Sequence, residues 1–217
     1  MKLSERSIQI LRNFSSINPS IQFEAGTNLR TISPNKTIMA VAKLDTTIES
    51  TFSIYDLSRF LGIMSLLKEP EFELGDKQLR ITSNDKVLNY TYADVNTIVT
   101  PPNRDIKLNG VDVEFTLNQE QYVDIMKAIG VLSLPDFVVS GESGKIVLRA
   151  TNTKNPVSDT YDIVVGETDK EFTAIFKAEN IKIISDTYTV KLSSQGIAHF
   201  SSDDVEYWIP LESNSEF

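Results

Sequence analysis

"IMSLLKEPEFELGDKQLR", residues 63–80, has a worn counterpart in "IMKAIGVLSLPDFVVSGESGKIVLR", residues 125–149. Both spell Ile-Met, an apolar run, Pro-acid-Phe, a glycine turn and Leu-Arg. Around the first, Phe60, Ile63, Met64 and Leu67 recur at the spacing of one helical face, with Asp56 as the candidate N-cap. Around the second, Tyr122, Ile125, Met126 and Ile129 form the matching stripe, capped by Asn118. Each stripe predicts a helix of about three turns. A proline followed by period-two alternation, Pro70 to Leu74 and Pro135 to Val139, marks entry into a strand. Gly75-Asp76 in one copy and Gly141 to Gly144 in the other then reverse the chain into strands at 78–82 and 146–150. The offset between copies grows from about 62 to about 69 residues, a drift that loops accept. Two copies point to two homologous domains, since a solenoid needs more.

Further elements flank these units. A helix over 4–14 turns Ile8, Leu11 and Phe14 inward, and strands are expected at 21–23, 29–32 and 38–42. After the second unit come strands at 161–165 and 171–176, a short helix over 178–183, and strands at 187–192, 197–200 and 205–210. Helices segregated from antiparallel hairpins describe an α+β fold. Between the halves, Thr100 to Gly110 contains Pro101-Pro102 and no periodicity, as an extended connector does. The expected organisation is an N-terminal domain over 1–100, a connector over 101–110 and a C-terminal domain over 111–217.

The chemistry of catalysis is sparse. The chain has 217 residues, 41% of them hydrophobic, and no cysteine, which removes disulfides, thiolate metal sites and a thiol nucleophile. Its one histidine, His199, sits in a strand-like run without a nucleophile partner in sequence. The glycines of Gly141-Glu142-Ser143-Gly144-Lys145 are too close for a phosphate loop, and the turn leads into a strand instead of a helix. Ser201 to Asp204 offers two carboxylates but no further ligands at loop spacing. No catalytic residue, metal or cofactor is expected. No run reaches the roughly 20 apolar residues of a membrane span, and the N-terminus reads as neither leader nor anchor. The expectation is an intracellular, non-enzymatic protein in a reducing compartment.

A formal charge of −9 argues against nucleic acid only if charge is evenly spread. The expected helices, taken as 2–14, 56–68, 118–129 and 177–182, carry Lys2, Arg6, Arg12, Arg59, Lys68, Lys127, Lys177 and Lys182 against five acids, a net +3 that leaves −12 for strands and loops. Cationic helices on an acidic body suit phosphate contact without base reading. The competing interpretation is an acidic adaptor or virion structural protein whose helices pack on a partner.

The opening residues Met1 to Ser4, Leu11 to Asn18, "IYDLSRFLGIMSL" at 54–66 and "NTIVTP" at 96–101 closely resemble the sliding clamps of T-even-type bacteriophages, the processivity factors of replicative DNA polymerases. The resemblance runs along nearly the whole chain and is strongest in the first half. It implies a homotrimeric ring whose helices line a hole for duplex DNA and whose sheets form the outer wall. It further implies an ATP-dependent clamp loader, tethering of the replicative polymerase, and residence in the cytoplasm of an infected bacterium. Subunit joints are expected at two edge strands, bearing Tyr90 and Tyr92 in the first domain and Tyr161 and Ile163 in the second. A partner-peptide pocket near the connector is expected from Ile106, Leu108, Trp208 and Pro210, with Trp208 as a partly exposed anchor.

Overall fold

A computed structural model describes residues 2–102 and 108–217, and the chain divides into two compact units, 1–104 and 105–217. The first unit contains α1 (Glu5–Ile17), β1 (Ile21–Phe23), β2 (Gly26–Ile32), β3 (Met39–Ile48), β4 (Phe52–Ile54), α2 (Leu57–Met64), β5 (Glu71–Leu74), β6 (Gln78–Ser83) and β7 (Lys86–Thr91). The second contains β8 (Val113–Leu117), α3 (Gln119–Leu132), β9 (Asp136–Glu142), β10 (Lys145–Thr151), β11 (Tyr161–Glu167), β12 (Phe172–Lys177), a 3₁₀ turn (Ala178–Asn180), β13 (Tyr188–Ser193), β14 (Ile197–Ser201) and β15 (Val205–Pro210).

The helices start where short polar side chains can satisfy free amides. Ser4 accepts from the Ser7 amide and Asp56 from that of Arg59, while Asn118 and Gln121 close a capping box. In α1 the buried face is Ser7, Ile10, Leu11, Phe14 and Ile17, so Ile10, not the expected Ile8, takes the inward position. α2 is shorter than the expected 56–68. After Met64 the backbone tightens into i→i+3 bonds from Leu66 and Leu67, and Glu69, just before Pro70, adopts φ +47°.

All pairings within each unit are antiparallel. In the first, the strands order as β4-β1-β2-β3 and β5-β6-β7. In the second, they order as β12-β9-β10-β11 and β8-β13-β14-β15. α1 packs on β2 and β3, and α3 packs on β10 and β11. Position by position, then, α1 corresponds to α3, β1–β3 to β9–β11, β4 to β12, and β5–β7 to β13–β15. The echo between 63–80 and 125–149 therefore joins non-equivalent places in the two units, α2 with α3. What repeats along the sequence is a smaller module, strand-helix-three strands, complete in β4-α2-β5-β6-β7 and in β8-α3-β9-β10-β11; among the described residues α1-β1-β2-β3 lacks the leading strand, and β12 to β15 lack the helix.

In the second unit the position of α2 is taken by the 3₁₀ turn Ala178–Asn180, so the helix expected over 178–183 is corrected to that short turn followed by irregular chain. Three β-branched residues, Ile181, Ile183 and Ile184, are buried there and crowd a helical backbone. Tyrosine hydroxyls hold the segment open: those of Tyr122 and Tyr188 donate to the carbonyls of Ile183 and Ile184, and that of Tyr207 accepts from the Ile184 amide. Burial pushes the Tyr122 phenol up to about 12. The strands β4 and β8 were not expected, although Val113, Phe115 and Leu117 alternate buried with exposed neighbours.

Candidate functional site

Three regions bear on function: cationic helix faces, sheet edges, and the surroundings of Trp208. On α1, Arg12 is exposed opposite the buried stripe, while Arg6 lies on its flank and donates to Gln9 at 2.8 Å. Arg59 projects from the exposed side of α2 and Lys127 from that of α3. The Lys127 ammonium is 3.9 Å from Asp124, and Lys2 is 3.6 Å from Glu71. Exposed pairs of this length leave the cations available, because water screens most of the attraction.

The other expected cations are placed differently. Lys68 lies on the turn after α2, its amide and carbonyl both bonded to the Ser83 hydroxyl. Lys182 is exposed beyond the 3₁₀ turn. Lys177 ends β12 and reaches the fully buried Asp136 at 2.6 Å. Its charge is engaged with that carboxylate, unlike those of the exposed cations expected to face DNA.

β7 and β11 are each an edge strand of their sheet. On β7 the tyrosines turn inward: Tyr90 packs edge-on against Phe60 at 5.3 Å, and Tyr92, just beyond the strand, lies 5.2 Å from Phe52. Burial, then the Asp56 carboxylate, raises the Tyr90 phenol. Tyr90 and Tyr92, expected on a subunit joint, thus pack on rings of their own unit, and β7 presents its backbone and Val87, 55% exposed. β11 presents Tyr161 and Val164, 41% and 54% exposed, and a half-buried Ile163.

Trp208 is covered rather than partly exposed. Its partner across β14 and β15 is His199, whose ring stacks on the indole at 4.6 Å and 15°, leaving 8% of Trp208 exposed. Glu206 holds the imidazole at 2.7 Å. Leu108 and Pro210 are half-buried, and Ile106 lies outside the described residues. Sequence reasoning missed Asp112, which anchors the end of the connector. Its carboxylate accepts from the Ser194 amide at 2.6 Å, and this bond leads the causes that lower its pKa.

The chain matches two family models, "DNA polymerase processivity factor" over residues 4–100 and "gp45 sliding clamp, C terminal" over 114–213. It is 32% identical over 220 residues to the sliding clamp of Vibrio phage KVP40, covering 98% of this chain and 99% of that one. The chain belongs to the phage sliding-clamp family. The sliding clamp of Enterobacteria phage T4 is 28% identical over 226 residues, covering 99% of this chain and 98% of that one. Solved clamps share the fold at low identity. An A. fulgidus PCNA, solved with the C-terminal region of FEN-1, gives a TM-score of 0.73 at 14% identity over 99% of this chain and 98% of that chain. A Helicobacter pylori beta clamp gives 0.68 at 17% identity, over 97% of this chain and 63% of its own. As a sliding clamp the protein is a DNA polymerase processivity factor, a non-catalytic role.

Proposed function

We propose that three copies close into a ring around duplex DNA, joined by pairing of β7 in one copy with β11 in the next. The observation that carries this reading is that both are edge strands bearing exposed apolar side chains. Unpaired backbone groups of that kind are satisfied by a strand from another chain. The domains run over 1–100 and 111–217, and residues 101–110 connect them. Arg6, Arg12, Arg59 and Lys127, with Lys2, Lys68 and Lys182 beside them, attract phosphates without reading sequence, so the ring slides. The acidic remainder discourages non-productive docking. An ATP-dependent loader opens the ring in the infected host's cytoplasm, and the replicative polymerase binds near Leu108 and Pro210. Trp208 acts there as the floor under His199.

Light-scattering mass in solution tests the assembly. The expected particle is three times the 24.3 kDa chain, and Val87→Glu with Val164→Glu, which puts a carboxylate on each edge, reduces it to one chain without unfolding. A wild-type monomer at micromolar concentration would contradict the proposal.

A further inference from the structure

β12 has a second edge, opposite β9, and residues 212–217 lie along it. Thr173 and Glu216 exchange both backbone hydrogen bonds, at 2.8 and 2.9 Å. The Ile175 amide donates to the Ser215 hydroxyl at 3.0 Å, and its carbonyl accepts from the Glu212 amide at 2.8 Å. The outward-facing groups of Thr173 and Ile175 are thereby satisfied. Phe217 stacks on Phe172 with ring centres 5.8 Å apart and planes 11° apart. The Phe172 ring lies over Gly141 of β9, where a Cβ would come within 2.6 Å of it and would also strike the Lys170 carbonyl. The platform for an aromatic side chain is therefore built into two strands.

Its present occupant fits imperfectly. Phe217 remains 43% exposed. Glu216 enters a cleft already lined by Glu142 and Glu171, and of these Glu142 is answered by Arg149 at 2.8 Å. Like charges there oppose docking, which tethering makes up through high local concentration.

We propose that the β12 edge is a peptide-accepting groove kept closed by the chain's own Glu212–Phe217, and that its exchange partner is an extended segment carrying an aromatic residue beside a cationic one. Such a segment pairs with Thr173 and Ile175, stacks on Phe172 and replaces like-charge repulsion with attraction. The groove lies wholly within the second unit, so it does not depend on ring closure.

The test uses a fluorescent heptapeptide of the 211–217 sequence carrying Glu216→Lys and a carboxamide end, followed by anisotropy. A chain ending at Leu211 is expected to bind it about tenfold or more tightly than the full chain, because the tethered competitor is gone. Full-length Phe217→Ala should fall between the two. The preference over the unmodified acidic peptide should shrink with added salt. Equal affinity for the shortened and full chains, or undiminished binding of a peptide whose Phe is replaced by Ala, would overturn the proposal. If the shortened chain does not fold, Phe217→Ala decides: tighter binding than wild type supports the groove, and equal binding refutes it.

Discussion

Asp136 shows how one residue can decide the use of another. Its carboxylate accepts from Lys177 and from both the amide and hydroxyl of Thr153, all within 2.8 Å. Burial alone would raise its pKa, but these bonds outweigh burial and hold it below the ordinary value. With the folded pKa depressed, the stabilisation is complete above the unfolded value of roughly 4 and is lost as pH falls through the folded one. Urea midpoints of the wild type should drop on acidification below about pH 4, and those of Asp136→Asn should drop less. Asp136→Ala should cost about 2–4 kcal/mol in urea unfolding, the lower end being favoured because Lys177 is partly exposed. Tyr122→Phe removes only the bond to the Ile183 carbonyl and should cost about 1 kcal/mol. Neither residue's role was legible in the sequence, because each depends on partners 17 to 61 positions away.

At the scale of elements, local chemistry was readable and replacement was not. The hairpin at Gly141–Gly144 was legible: β9 ends at Glu142, β10 begins at Lys145, and Ser143 and Gly144 take φ of +52° and +81°, the pair that a two-residue reversed turn requires. Both caps that begin α2 and α3 were also named by residue type. Asn118→Ala should lower stability by about 1 kcal/mol, measured by thermal or urea unfolding, with the Gln121 amide left without its side-chain acceptor. The helix expected over 178–183 failed because apolar spacing there resembles an amphipathic turn, whereas tyrosine hydroxyls and buried isoleucines keep the chain beyond Asn180 out of a helix. The same substitution disguised the repeat, since α2 has no helical counterpart in the second unit. The edge positions of β7 and β11 could be named from the resemblance, but the inward turn of Tyr90 follows from Phe60 beneath it.

For the whole molecule, charge placement matters more than its sum. A chain of −9 can handle DNA only if its cations are gathered on helices and the rest repels. Reversing Arg6, Arg59 and Lys127 together to Glu should leave the assembled mass unchanged while processive synthesis falls by at least tenfold at low salt. Retention on DNA tests the central claim most directly, because a closed ring is held by topology and not by affinity. Clamps loaded onto a nicked circle should stay with it through gel filtration and be lost once a single cut makes the DNA linear; equal retention on circle and linear duplex would contradict encirclement.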